Sequence, residues 1–195
     1  MSNTFIHVNF DLLEGFEGLK LLFKKGVISI IEDKFEGTGV VIITDLAEAQ
    51  NLLFHGLDVK TVAIHDRINH NIENSIGEAY PNSAVSYVDM NNIHATDFDE
   101  LIQKAGLISS HELGHLFLGD HSIAGVNLMA DGNIIDDLMN SDNRMDLDFT
   151  ELQKLLIAKG KPDGQLLSDI ESLHLETASQ EVSEFIESLF RDFGL

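Results

Sequence analysis

Apolar and polar positions along the chain follow two different periods. Residues 4–10, TFIHVNF, alternate between the two kinds and predict a half-buried strand. Residues 16–35 switch to helical spacing, with Leu19, Leu22, Phe23, Val27, Ile30 and Ile31 on one stripe and Gly26 weakening its middle. GVVIITD at 39–45 is a short continuous apolar run, as expected of a buried strand. LAEAQNLLFHG then reads as a short helix closed by Gly56, and VKTVAIH at 59–65 as another strand. This succession of strand, helix, strand, helix, strand predicts an α/β layered unit with a largely parallel sheet.

Further on, SIGEAYPN and SAVSYVDM are two short strand candidates separated by a turn at Pro81 and Asn82. Thr96, followed by Asp97, Asp99 and Glu100, marks a helix start: a hydroxyl cap, then carboxylates at the positive end of the helix dipole. The stripe Phe98, Leu101, Ile102, Ala105, Ile108 and Leu113 carries that helix to residue 111 and beyond. Residues 130–148, rich in Asp and Asn, predict a loop, and FTELQKLLIAKGKPDG a helix ended by Gly160 and Pro162. The tail at 163–195 holds eight acids, with Arg191 its only base, around apolar positions that predict one or two amphipathic helices. The expected organisation is one domain over 1–160 and a helical tail over 161–195.

Composition narrows the chemistry. The 195 residues are 44% hydrophobic with a mean hydropathy of +0.03, which describes a globular chain. A net charge of -21 repels phosphate backbones and argues against a broad nucleic-acid surface. With no cysteine, disulfides, zinc fingers and thiol nucleophiles are excluded, and a transition-metal site falls to histidines and carboxylates. The N-terminus shows no basic region followed by an apolar run, and no stretch approaches the ~20 apolar residues of a membrane span. The expectation is a soluble protein without membrane contact, cytoplasmic or exported by a route that reads no N-terminal signal.

Residues 111–121, HELGHLFLGDH, concentrate the candidate chemistry. His111 and His115, four apart on a helix, present their rings to one ion from the same face. Glu112 lies about a hundred degrees round the helix, where its carboxylate reaches a water in an open coordination position instead of the ion itself. Neutral imidazoles, an open position and a nearby carboxylate are what zinc-dependent hydrolysis requires. His121 cannot share the ion from a continuing helix. The helix must end and the chain turn back, a task for Gly119, which tolerates positive φ.

H-E-x-x-H, a third histidine ten residues after the first, and Met129 eight residues beyond that in VNLMA together resemble the metzincin clan of zinc endopeptidases. Its signature is H-E-x-x-H-x-x-G-x-x-H with a downstream methionine turn. HSIAGVNLM is similar to the matrix metalloprotease branch, IGEAYP to the clan's antiparallel edge strand, SAVSYVDM to the strand after it, and FTELQKLL to its C-terminal helix. The resemblance implies an α/β (α+β) fold: a mixed twisted sheet, a backing helix, an active-site helix and a smaller C-terminal subdomain. It also implies one catalytic Zn2+ on His111, His115 and His121, Glu112 as general base, Met129 beneath the metal, and a protein or peptide substrate along Gly77, Glu78 and Ala79. Two positions depart from the pattern: Leu118 stands where the clan has glycine, with Gly119 one place on, and Asp131 where the astacin and serralysin branches carry a tyrosine. Met139 is a rival for the methionine turn, set aside on spacing.

Other readings stand beside this one. The acidic loop at 131–148 offers oxygen ligands suited to Ca2+, but without a twelve-residue EF-hand pattern a solvated loop is the expectation. Some bacterial zinc endoribonucleases use three histidines at the same spacing, and the final GDH fits them; Glu112 and the net charge do not. A metzincin-like scaffold that binds partners without catalysis would have no use for Glu112.

Overall fold

Five strands form one sheet: β1 (Phe5–Asn9), β2 (Val41–Ile43), β3 (Val59–His65), β4 (Gly77–Ala79) and β5 (Val85–Asp89), in the spatial order β2-β1-β3-β5-β4. Neighbours from β2 to β5 run parallel, while β4 runs antiparallel to β5, with Gly77 opposite Val88 and Ala79 opposite Ser86. The computed structural model describes residues 4–14, 18–66, 76–80, 83–131, 147–160 and 164–177. The turn at Pro81 and Asn82, Met139 with the loop at 132–146, and the tail beyond 177 lie outside the described residues.

Alternation along the strands decides which helix covers which face. Ile6 and Val8 of β1, Val62 and Ile64 of β3, and Val88 of β5 point into the main core. There they meet Phe23, Val27 and Ile31 of α1 (Lys20–Lys34) and Ala105, Ile108 and Leu113 of α3 (Phe98–Leu118). Residues of opposite parity, Phe5 and Val59, join Ile43 in a small second cluster under Ala49 and Leu52 of α2 (Leu46–Phe54). The sheet is therefore covered on both faces, as an α/β layered unit requires. Gly26, a cost to α1 as an isolated helix, has a packing reason. A Cβ there would lie 2.5 Å from Ile102, and one at Gly106 would lie 2.7 Å from Ile30, so two glycines let α1 and α3 approach closely.

Two local expectations need correction. The run at 39–45 was expected as a buried strand, but β2 is three residues long at the sheet edge with Val41 exposed, because it has a strand neighbour on one side only. The α3 cap is Asp97, whose side chain accepts from the Glu100 N–H at 2.8 Å. Thr96, the expected cap, stands one place earlier and donates its N–H and hydroxyl to the Glu100 carboxylate at 2.7 and 2.6 Å.

A capping box at Thr150 and Gln153 opens α4 (Glu151–Lys159), and Gly160 at φ +81° ends it. Residues 167–177 are helical, and Leu167 is fully buried in the main core while Leu173 and Leu175 face solvent. Among the described residues no helix is long and apolar enough to cross a membrane.

Candidate metal centre

Helix α3 runs through Leu118, and the reversal falls on Gly119, at φ +97° and ψ -59°, a conformation open to glycine. Leu118 is fully buried, so the apolar demand of the core extends the helix one residue before the turn. The Gly119 N–H donates to the His115 carbonyl at 3.0 Å, closing the helix end. Two residues later His121 has swung back, and one ring nitrogen from each of His111, His115 and His121 lies within 4.8 Å of the others. The two Nε2 atoms of His111 and His115 are 3.1 Å apart. His121 packs against both rings, with centroids 5.4 and 4.6 Å away.

Three ring nitrogens converging on one point, with no cation or carboxylate among them, make a donor set suited to a borderline divalent ion such as zinc. Their electrostatics fit as well, since metal-binding imidazoles must be neutral. Burial, reinforced by the neighbouring histidines, lowers the His115 pKa to about 3 against a hydrogen bond to the Gly119 backbone. Burial lowers His111 to about 4, with the Leu128 carbonyl opposing. That carbonyl accepts from His111 Nδ1–H at 2.7 Å, which fixes the tautomer and leaves Nε2 as the electron-pair donor.

Glu112 is 7% exposed, beside the histidines but turned toward the sheet. Burial, and secondarily Glu78, raises its pKa to about 8. Its carboxyl lies directly over β4: a Cβ on Gly77 would stand 2.5 Å from Glu112 Oε1 and 2.7 Å from Cγ. The strand segment Gly77, Glu78 and Ala79 thus sits at the sheet edge and against the glutamate.

Met129 is fully buried under α3, where Gly114 leaves the helix surface bare. A Cβ on Gly114 would fall 2.3 Å from Met129 Sδ and 3.0 Å from the Phe149 ring. Asp131, two residues on, opposes the lowering at His111 as the last of its influences.

A polar network under the third-histidine loop was not anticipated from the sequence. The Asn127 side chain accepts from the Met129 N–H at 2.8 Å and from Gln153 Nε2 at 3.1 Å, and donates to the Ser122 hydroxyl at 2.9 Å. Glu171, from helical 167–177, accepts from the Ser122 hydroxyl and from Gln153 Nε2. The T-x-x-Q spacing at 150–153 signals the capping role of Gln153 but nothing of its second one. Glu171 had no readable signal, standing 49 residues from Ser122 on an acidic tail.

By sequence, no protein-family model and no curated protein matches the chain. By structure it is similar to a zinc-dependent peptidase from Methanocorpusculum labreanum, with a TM-score of 0.56 at 17% identity, over 78% of this chain and 99% of that one. It is also similar to archaemetzincin from Methanopyrus kandleri, with a TM-score of 0.52 at 14% identity, over 80% of this chain and 94% of that one. At these identities the likeness is one of fold: the mixed sheet with helices on it is shared.

Proposed function

We propose that the chain is a zinc-dependent endopeptidase with a metzincin-like site. The observation that carries the proposal is the convergence of His111, His115 and His121 within 4.8 Å, with the buried Glu112 packed between them and an edge strand. The fold it shares with proteins described as a zinc-dependent peptidase and an archaemetzincin supports the same reading.

His111, His115 and His121 would hold the ion, with Met129 packed beneath them away from substrate. Zinc, when bound, supplies a Lewis acid that lowers the pKa of water and polarises a carbonyl oxygen. Peptide lies extended along Gly77, Glu78 and Ala79, which brings its scissile bond beside Glu112 because Gly77 and Glu112 are in contact. The Glu112 carboxylate accepts a proton from the attacking water and returns it to the leaving amine nitrogen. Burial that raises Glu112 toward 8 makes its carboxylate a stronger base than an exposed one.

A protein substrate such as casein, with and without a chelator, tests the reading together with Glu112→Gln. Cleavage should stop in chelator and return with zinc, and the variant should retain metal but lose ~100-fold or more in kcat/KM. Undiminished cleavage in chelator, or by the variant, would sink it.

A further inference from the structure

Buried acids outside the reaction invite an explanation, since a carboxylate without a cation is a poor way to fill a core. Glu171 is 2% exposed, and among the described residues no lysine or arginine pairs with it. Its partners are three donors. The Ser122 hydroxyl lies 2.9 Å from both carboxylate oxygens, the Ile123 N–H donates to Oε2 at 2.8 Å, and Gln153 Nε2 donates to Oε1 at 3.0 Å. Two of these belong to the residues immediately after His121. Another contact ties the same segments: Asp120, immediately before His121, accepts from the N–H and hydroxyl of Ser168. The third ligand is therefore gripped on both sides by helical 167–177.

The grip extends to the segment beneath the histidines. Ser122 donates its N–H to the Met129 carbonyl at 2.7 Å, and its hydroxyl accepts from Asn127 Nδ2. Asn127 in turn holds the Met129 N–H. Residues 122–126 pass through an exposed loop at Ile123 and Val126, with no apolar packing of their own to fix them. An apolar residue in place of Glu171 would fill space but leave the Ile123 N–H without its acceptor and the Gln153 amide with Asn127 in place of two acceptors.

We infer that Glu171 is a positioning residue for the metal centre: its carboxylate fixes the Ser122–Ile123 backbone and so sets where His121 meets the other two histidines. This rests on the zinc-peptidase reading, and it makes 167–177 a working part of the site. Outer partners of this kind typically govern 10–100-fold in metal affinity.

The test uses the full chain and its Glu171→Ala, Glu171→Gln and Glu176→Gln variants, the last on the same helix but exposed. Zinc affinity is read by competition with a chromophoric chelator, and ligand geometry from the visible d–d bands of the cobalt-substituted protein. Glu171→Gln keeps the shape but turns an amide N–H2 toward donors. Both Glu171 variants should fold with wild-type circular dichroism, bind zinc ~10–100-fold more weakly, and show altered cobalt bands, while Glu176→Gln matches wild type. If Glu171→Ala does not fold, Glu171→Gln decides by the same criteria. Glu171 variants with zinc affinity within ~3-fold of wild type and unchanged cobalt bands overturn the inference and leave the peptidase reading intact. A wild-type chain that takes up neither metal overturns both.

Discussion

Two glycines show how little room the site leaves around its working atoms. Gly77 lies under the Glu112 carboxyl, and Gly114 lies over Met129. In Gly77→Ala the added methyl must displace Glu112, and an ångström of misplacement at a reacting group is worth up to ~100-fold in rate. We expect kcat/KM to fall at least ~10-fold with zinc content unchanged, read by peptide hydrolysis beside metal analysis. Equal rates would mean that Glu112 has slack. The letters H-E-L-G-H announced the histidines and the glutamate. They did not announce why the fourth letter is glycine, because that reason is Met129, fifteen residues on and brought there by the fold. Titration gives a second check at this scale. The folded-state pKa of His111 is held near 4, below its unfolded value, so the unfolded chain takes up the proton first. Its contribution to stability is complete above about pH 6.5 and is lost as pH falls toward 4. His111→Asn keeps a donor for the Leu128 carbonyl and removes the titration. In chelator, denaturant unfolding should show wild type losing stability relative to this variant between pH 7 and pH 5. A gap that does not move with pH would contradict the buried, neutral assignment.

At the scale of elements, the end of α3 decides whether three histidines become one site. Gly119 at φ +97° lets the chain double back within two residues, and an alanine there is strained by about 1–3 kcal/mol. Gly119→Ala should lower the thermal midpoint by several degrees and weaken zinc binding, because any relief of the strain moves His121. A variant with unchanged midpoint and affinity would show that the turn does not constrain the third ligand. The periodicities placed α1, α2, β3 and β5 to within a few residues, since each buries one face against a neighbour and writes that face into its spacing. Cap and edge assignments were poorer for a physical reason. Thr96 and Asp97 are both good caps, and the choice between them turns on a single hydrogen bond to Glu100. An apolar run such as 39–45 reads the same in a central strand and an edge strand.

For the molecule as a whole, the charge of -21 acts at a distance from the site. A field of that sign draws cationic substrates and repels anionic ones, and salt screens both effects. Raising ionic strength should therefore slow hydrolysis of a lysine-rich peptide and speed that of a glutamate-rich one, measured as kcat/KM. Matching salt responses for the two peptides would show that steering plays no part. The layered α/β character was legible because it follows from element order. The docking of 167–177 was not, for an amphipathic pattern says that a helix has an apolar side without saying what that side meets. Leu167 meets the main core and Glu171 meets the loop after His121, contacts that no local window contains.

The sheet also narrows toward its margins. Its inner strands are five, seven and five residues long, while the two outermost, Val41–Ile43 and Gly77–Ala79, have three each. Stubby margins offer a poor template for a second copy of the chain, so the taper guards against runaway self-association. Under the proposed function, a peptide held over three residues, about 10 Å of extended backbone, would gain few ladder bonds and leave readily once cut. Turnover and resistance to fibre growth would then come from the same economy of strand length.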